Sequence, residues 1–204
     1  MDIAAVENLE TALTRHIESA VRAGVHWVQI REKDLPGRNL MDLTRAAIRA
    51  CNNHAPKNWA RILVNDRCDV AWAAGAAGVH VGERSLPVRT VAAGRRAFGT
   101  TEFLIGASCH SVKAAIRAAE DGADYLFFGP IFATPSKAAF GAPQGPAKLA
   151  EVCRAVSIPV IAIGGITPGN AQSCRQAGAA GIAAIRLFQQ KGDLAEIVAN
   201  LTSK

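Results

Sequence analysis

The hydrophobic positions of this chain alternate between short apolar segments and longer segments in which apolar residues recur with a helical period. The short segments are rich in β-branched residues and almost continuously hydrophobic, which is typical of strands buried on both faces of a parallel sheet. The pattern predicts strands at 26–30, 61–65, 78–82, 103–107, 124–129, 159–164 and 181–186. It predicts amphipathic helices at about 5–23, 39–54, 67–75, 87–97, 111–121, 147–156, 169–178 and 192–202.

A turn of small residues that contains glycine precedes four of the predicted strands, in AGVHWVQI, AGAAGVHV, DGADYLFF and AGAAGIAAI. In one of them, apolar residues recur at helical spacing from Val112 to Ala119, and Gly122 stands where the chain leaves the helix. Repetition of one β/α unit favours a barrel, and the G-x-G-x-x-G of an open dinucleotide-binding sheet is absent after the first strand. We therefore predict an α/β fold, a TIM (β/α)8-type barrel, with residues 1–204 as one phosphate-binding domain.

The N-terminus departs from this pattern, because a helix is predicted before any strand. A complete barrel begins with a strand, but only the residues MDIA precede the predicted helix at 5–23. The first strand is therefore expected to be missing or very short, and we favour a chain start that lies too far downstream. Such a barrel would have an open seam with unpaired strand edges.

Composition and charge narrow the class of protein. Half of the 204 residues are hydrophobic and a fifth are charged, and neither a membrane span nor a signal peptide is predicted, so a cytoplasmic location is expected. The five cysteines are scattered without a C-x-x-C pair, which favours reduced thiols over disulfides or zinc. The net charge of +6 is spread along the chain, and no basic run is interleaved with aromatic residues. A small anionic substrate such as a phosphate ester therefore fits better than nucleic acid.

Candidate functional residues are sought at the C-terminal ends of the strands, where barrel enzymes carry their chemistry. Those positions hold Gln29, Arg31, Lys33, Asn65, Asp66, Glu83, Arg84, Ser85, Ser108, His110, Thr134, Ser136, Lys137, Gly164, Gly165 and Arg186. The remaining histidines lie inside predicted strands or helices and are expected to be structural: His16, His26, His54 and His80.

Two groups of these residues suggest phosphate binding. Arg31, Lys33 and Lys137 come from distant parts of the chain and together suit a diphosphate, although solvated surface charge is the ordinary role of such residues. Gly164 and Gly165 end the string IPVIAIGG, where backbone N–H groups can approach a phosphate. The alternative role of this glycine pair is packing at an ordinary turn.

Two further residues have open alternatives. Asp66 could hold Mg²⁺, which prefers carboxylate oxygen, or it could cap the helix that begins near Arg67. His110 could be a general acid or base, or it could make a local hydrogen bond at the start of a helix.

With these residues noted, the chain resembles the superfamily of thiamin phosphate synthases and TenI-type thiazole tautomerases. The resemblance covers nearly everything from Gly24 to Phe188, and its motifs occur in family order. They are VQIREKDL (28–35), ILVNDRCDVA (62–71), AGVHVGERSLP (77–87), IGASCHS (105–111), GADYLFFGPIFATPSKAAFGAPQG (122–145), IPVIAIGGITPGNA (158–171) and AGAAGIAAIRLF (177–188).

The resemblance implies a synthase that joins hydroxymethylpyrimidine diphosphate to thiazole phosphate with Mg²⁺ as cofactor. Diphosphate leaves, a pyrimidinylmethyl cation forms, and the thiazole nitrogen attacks it, so the protein needs cations and donors rather than a nucleophile. By position, the diphosphate residues are Arg31, Lys33, Asn65, Ser108 and Lys137, with Gln29 at the pyrimidine and Asp66 at the metal. The thiazole phosphate residues are Thr134, Ser136, Gly164, Gly165 and Ile185, and Arg186 beside them could either bind this phosphate or crowd the site. The implied partners are these two phosphorylated small molecules and further copies of the chain in a homo-oligomer.

Two departures from the family pattern leave the activity open. Synthases usually carry a second magnesium carboxylate in a G-Q-x-D string, but here Ser85 stands in place of that aspartate and Glu83 precedes it by two residues. The last strand usually ends in Ile-Ser, but here it ends in Ile185-Arg186. The first departure favours a thiazole tautomerase, which needs no diphosphate or metal and uses a histidine in an S-x-H-S string such as 108–111. A non-catalytic phosphate-binding barrel is a third alternative.

Overall fold

The computed structural model describes residues 3–54, 60–134, 142–190 and 192–202 of the chain. These residues form two compact units. The first unit comprises Met1–His80 with Asp193–Val198, and the second comprises Val81–Gly192 with Ala199–Lys204.

The first unit contains parallel strands separated by helices. In chain order its elements are α1 (Ile3–Arg22), β1 (Trp27–Ile30), α2 (Gly37–His54), β2 (Arg61–Asn65), α3 (Cys68–Ala74) and β3 (Gly78–Val81). β2 pairs in parallel with β1 through Val28 and Ile62, and with β3 through Val64 and Val79. The middle of β2 is almost completely buried, which explains why its sequence is continuously apolar.

The second unit repeats the same alternation. Its elements are α4 (Val88–Ala97), β4 (Leu104–Cys109), α5 (Val112–Glu120), β5 (Tyr125–Phe128), α6 (Gly145–Ala155), β6 (Val160–Ile163), α7 (Pro168–Gln176), β7 (Gly181–Ala183) and α8 (Arg186–Gln189). The strands are parallel, with Gly106 opposite Tyr125, Leu126 opposite Val160 and Ile161 opposite Gly181. A last helix, α9 (Leu194–Thr202), is divided between the two units.

An ion pair fixes the N-terminal ends of β4 and β5. The Asp124 carboxylate accepts hydrogen bonds from the Arg95 guanidinium and from the backbone N–H of Ile105, both at 2.6 Å. Arg95 also donates to the carbonyl of Phe103 at 3.1 Å. The candidate residues lie at or after the opposite, carboxyl ends of these strands.

All seven predicted strands are present, and the glycine turns that precede four of them are confirmed. Gly24, Gly75, Gly122 and Gly178 all have positive φ values and lie just after a helix. No strand precedes α1 among the described residues, and α1 begins at Ile3. None of the described helices combines the length and the low polarity that a membrane crossing requires.

The end of the last predicted strand is corrected by the structure. The strand predicted at 181–186 ends at Ala183, and Arg186 is instead the first residue of α8. Four residues are too few for a helical period to show in the sequence, so this helix was not predicted. β4, in contrast, ends later than predicted: it extends to Cys109 and includes Ser108 within the strand.

Candidate functional site

A chain of side-chain hydrogen bonds joins the carboxyl ends of β1 and β2 in the first unit. Gln29 Nε2 donates to Asn65 Oδ1 at 2.9 Å, and Asn65 Nδ2 donates to Asp66 Oδ2 at 2.8 Å. The strand register explains the first contact, because Gln29 lies opposite Leu63 and Asn65 is two residues further along the same face. Parallel pairing therefore brings together polar residues that are 36 positions apart in the sequence.

Asp66 is held in an unusual backbone conformation. Its φ is 61°, and among the described residues it is the one non-glycine position with a positive φ. The backbone N–H of Asp66 donates to the His80 carbonyl at 2.9 Å, and that of Arg67 donates to the Asn65 carbonyl at 2.7 Å. Backbone strain of this kind is concentrated at functional sites in proteins, which supports a functional role for the Asp66 carboxylate.

Asp66 lies two residues before the first residue of α3, and its alternative role as a helix cap stays a prediction beside the metal role. The residue that precedes α3 is Arg67, and it makes no side-chain cap hydrogen bond. Arg67 instead forms a two-bond ion pair with Asp69, with N–O distances of 2.9 and 2.6 Å. The Asp66 carboxylate accepts from Asn65.

Two of the predicted cations flank this carboxylate edge. Arg31 and Lys33 lie in the loop that follows β1, and both side chains are exposed. Because β1 and β2 are parallel, this loop leaves the sheet at the same edge as Asn65 and Asp66. The first unit therefore carries exposed positive charge in the loop that leaves the sheet at the same edge as the Gln29–Asn65–Asp66 hydrogen bonds.

His80 is buried in β3, as expected for a structural histidine, with 2% of its surface exposed. Burial lowers the pKa of its imidazole to about 4, and the nearby Asp66 charge opposes this shift. The side chain is therefore neutral at physiological pH.

In the second unit, the residues of the string Ser108–Ser111 have different roles. The Ser111 hydroxyl caps α5 by accepting from the Ala114 N–H at 3.1 Å. The His110 Nδ1–H donates to the carbonyl of Gly129 at the end of β5, so the bond is not local. A carbonyl oxygen only accepts, and this contact therefore puts a proton on Nδ1 and turns Nε2 away from it.

Glycines surround the loop that follows β5. A Cβ at Gly129 would overlap the Ile163 carbonyl, and a Cβ at Gly164 would lie 2.6 Å from Pro130 Cα. A Cβ at Gly165 would lie 2.6 Å from the carbonyl oxygens of Phe132 and Ala133. These glycines allow the loops after β5 and β6 to approach closely, and the Phe132 N–H donates to the Gly164 carbonyl at 3.0 Å. The packing role of Gly164 and Gly165 is thus present, whereas their phosphate role stays a prediction.

Thr134 and Arg186 form a further link within the second unit. The Arg186 guanidinium donates to the Thr134 hydroxyl and so joins the loop after β5 to the start of α8. Arg186 and Ile185 are both exposed. Ser136 and Lys137, which follow Thr134 in the sequence, lie outside the described residues.

The position of the family's second carboxylate has a structural role in this chain. The Ser85 hydroxyl accepts from the Gly82 N–H at 2.9 Å and closes the turn that follows β3. Glu83 and Arg84, within this turn, are exposed.

Among the described residues, a magnesium ion would find few protein carboxylates close together. In the part of the chain that the structure describes, no group of three or more His, Cys, Asp or Glu side chains lies together. Mg²⁺ usually keeps several waters and binds one or two protein carboxylates together with substrate phosphates. Asp66 is half-buried at a strand end and fits this mode of binding as a single carboxylate.

Gly129 is a site residue that the sequence interpretation missed. Its carbonyl accepts from His110, and its lack of a side chain admits Ile163. The signal was present in the sequence as a Gly-Pro pair directly after a predicted strand, which marks a turn.

Comparisons with known proteins agree with the sequence resemblance. The family described as "Thiamine monophosphate synthase" matches residues 3–188. The thiamine-phosphate synthase of Methanoculleus marisnigri is 44% identical over 185 residues, which are 91% of this chain and 84% of that protein. The thiamine-phosphate synthase of Chloroflexus aurantiacus is 43% identical over 176 residues, which are 83% of this chain and 74% of that protein.

Solved structures support the fold. The thiamine phosphate pyrophosphorylase from Pyrococcus furiosus superposes with a TM-score of 0.79 and 28% identity, over 92% of this chain and 86% of that one. A 3-hexulose-6-phosphate synthase is 16% identical with a TM-score of 0.65, over 92% of each chain, and therefore shows the fold alone. The predicted α/β fold of the TIM-barrel class is confirmed by these matches and by the parallel strands and helices within each unit. This chain belongs to the thiamine monophosphate synthase family.

Proposed function

We propose that this protein is a thiamin phosphate synthase, which couples hydroxymethylpyrimidine diphosphate to thiazole phosphate and releases diphosphate. The bond between the pyrimidinylmethyl carbon and the diphosphate oxygen breaks, and diphosphate keeps the electron pair. The lone pair of the thiazole nitrogen then forms the new C–N bond, so no oxidant, reductant or protein nucleophile is needed. The observation that carries the proposal is the family match over residues 3–188, together with relatives of the same name at 42–44% identity.

The first unit is proposed to bind the pyrimidine diphosphate. Arg31 and Lys33 are exposed in the loop after β1, at the edge of the sheet where β2 ends in Asn65, and a leaving diphosphate requires cations and amide N–H groups. Gln29 would contact the pyrimidine ring from the end of β1. Ser108 and Lys137 belong to the second unit, and they are proposed as diphosphate residues only by their match to the family motifs.

The second unit is proposed to bind the thiazole phosphate. Thr134, Ser136, Gly164, Gly165 and Ile185 match the family positions for this substrate. Arg186 replaces the usual serine, and its exposed guanidinium already bonds to the Thr134 hydroxyl, which supports its use as an anion-binding group.

Mg²⁺ is proposed as the cofactor, with Asp66 as its protein ligand. When bound, the ion would neutralise charge on the leaving diphosphate. The strained backbone of Asp66 and the hydrogen bond from Asn65 support this role, because both orient the carboxylate before any ligand arrives.

A TenI-type thiazole tautomerase is the alternative, and two observations favour it. Ser85 replaces the second carboxylate, and its hydroxyl is used within the turn after β3. The His110 imidazole is oriented by its bond to Gly129, as a general acid or base must be.

One assay separates the alternatives. The protein is supplied with the pyrimidine diphosphate, thiazole phosphate and Mg²⁺, and thiamin phosphate is measured. Formation of thiamin phosphate is the expected result. No product, together with isomerisation of the unaromatised thiazole carboxylate phosphate that His110→Ala abolishes, would replace the synthase by the tautomerase. Binding of these phosphates without either turnover would indicate a non-catalytic barrel.

Three broader features belong to the same proposal. The chain is proposed to act as a single domain over residues 1–204, in the cytoplasm, and as a homo-oligomer. Size-exclusion chromatography with light scattering tests the last of these, and a monomer at micromolar concentration would contradict it.

A further inference from the structure

The three polar residues at the ends of β1 and β2 form a hydrogen-bond chain with a fixed direction. An ionised carboxylate only accepts hydrogen bonds, so the Asn65 group that faces Asp66 must be the amide NH₂. The Asn65 oxygen then faces Gln29, and the Gln29 group that contacts it must in turn be an NH₂. The orientation of two amides therefore depends on one carboxylate.

The orientation of Asn65 also decides which atom of the Gln29 amide is available to a substrate. With one N–H of Gln29 committed to Asn65, the carbonyl Oε1 of this half-buried side chain remains as a fixed acceptor. An amide alone can rotate to offer either an acceptor or a donor, and so discriminates poorly between ring edges of opposite polarity. Here rotation would bring the oxygens of Gln29 and Asn65 together, or would leave a part-buried amide unsatisfied.

We propose that Asp66 acts, through Asn65, as a positioning residue that makes Gln29 an acceptor for an amino group on the heteroaromatic substrate. This role is separate from metal binding, since it requires only the carboxylate and the two amides. It rests on the proposed function in one respect, namely that an aminopyrimidine is the ring bound at Gln29.

The strained turn makes Asp66 suited to this task. With φ at 61°, and with its N–H bonded to the His80 carbonyl, Asp66 is fixed by the backbone. The carboxylate is therefore in place before substrate binds, and the direction of the chain is set in advance.

The experiment measures two uncharged ligands with a chelator present, so that neither metal nor phosphate contributes. One is the aminopyrimidine alcohol, which is the proposed substrate without its diphosphate. The other is the matching oxopyrimidine alcohol, in which a carbonyl and a ring N–H replace the amino group and ring nitrogen. Affinities are measured by calorimetry or ligand-observed NMR, and the readout is the amino-to-oxo affinity ratio.

Asp66→Asn is the main variant, because an amide at this position can donate to Asn65 and so allow the direction of the hydrogen bonds to reverse. We expect wild-type protein to prefer the amino ring and the variant to lower the affinity ratio about tenfold. If Asp66 had a purely structural role, the variant would lose affinity for both ligands by the same factor, and the amino-to-oxo affinity ratio would be unchanged.

Asp69→Asn is the matched control. It removes the same charge three residues away, from an exposed carboxylate that pairs with Arg67 and does not belong to the Gln29–Asn65–Asp66 chain. Its affinity ratio should stay within about twofold of wild type. Asn65→Leu is the second test should Asp66→Asn not fold: it breaks the chain with the carboxylate intact, and the ratio should again fall.

The outcomes separate this inference from the proposed function. If wild-type protein makes thiamin phosphate but Asp66→Asn keeps the wild-type ratio, the positioning role is wrong and the synthase stands. If wild-type protein makes thiamin phosphate but does not prefer the amino alcohol, the positioning role is wrong and the synthase again stands. If it makes no thiamin phosphate and binds neither alcohol, both the positioning role and the substrate assignment are overturned.

Discussion

In the first unit Gln29, Asn65 and Asp66 hold one another through their side chains, whereas Gly164 and Gly165 of the second unit are held by close backbone contacts. Gln29, Asn65 and Asp66 are joined by amide and carboxylate hydrogen bonds. Gly164 and Gly165 instead give the loop after β5 the space to lie against them. A polar substitution in the first arrangement is therefore expected to change hydrogen bonding, whereas a side chain added at Gly164 or Gly165 would have to displace backbone atoms.

The largest effect is expected at Gly165, where a positive φ is combined with carbonyl oxygens close to the position of a Cβ. Gly165→Ala should lower the free energy of unfolding by about 4 kcal/mol, since its Cβ would meet two carbonyl oxygens at 2.6 Å and its φ is 67°. Gly99→Ala is the control, because Gly99 has almost the same φ, 65°, but no atom within 4 Å of a Cβ. It should cost about 1 kcal/mol. Urea denaturation measures both, and equal losses would show that backbone strain alone distinguishes these glycines from alanine.

A loss of activity that corresponds to a similar free energy is expected when Lys137, which follows Thr134 in the sequence, is replaced. Lys137→Ala should lose at least about 100-fold in kcat/KM, roughly 3 kcal/mol, because it removes a charge from the leaving diphosphate. Lys148→Ala removes a lysine that is exposed on α6 and paired with Glu151, and it should stay within about twofold of wild type. Steady-state kinetics at saturating Mg²⁺ gives the comparison. A loss below about threefold in Lys137→Ala would argue against its role.

The first unit should also be the more sensitive to acid, because it contains His80. The ordinary pKa of a histidine is near 6.5 and burial lowers that of His80 to about 4. Between these values the unfolded chain binds a proton that the folded chain does not, so stability is lost as the pH falls from 6.5 towards 4. At pH 5 the loss from this group should be about 2 kcal/mol.

The measurement compares urea unfolding of wild type and His80→Asn at pH 7.5 and pH 5. The variant should be less stable at pH 7.5, because packing is lost, but its stability should fall less between the two pH values. NMR of the wild-type imidazole provides a direct check. Protonation of His80 near pH 6.5 would contradict the assigned cause.

The smallest expected effect tests the departure at Ser85, where the family pattern has a second carboxylate. Ser85→Asp keeps an acceptor for the Gly82 N–H and adds the charge that other synthases carry here. The Mg²⁺ concentration for half-maximal activity should fall about fivefold, close to 1 kcal/mol. Ser85→Asn keeps the acceptor without the charge and should leave that concentration unchanged. An equal change in both variants would attribute the effect to the turn rather than to the carboxylate.

The sequence predicted most of the elements, because their signals are local. Strands such as β2 and β6 were evident as short apolar runs, and the turns at Gly24 and Gly122 as glycines after helical segments. The helix at Arg186 was missed because four residues carry no period. The candidate residues at strand ends were found by topology, which specifies the edge of a parallel sheet but not which side chains touch.

By itself the sequence determined the α/β class, the family and the strand ends that carry polar residues. These features depend on periodicity, glycine turns and motif strings, which are local properties of the sequence. Only the tertiary structure decided that Gln29 donates to Asn65, that Asp66 has a positive φ, and that Gly165 faces the carbonyls of the loop after β5. The reason is physical. Strand register and loop approach join residues 30 or more positions apart, and their geometry is set by packing across the whole unit rather than by any local preference.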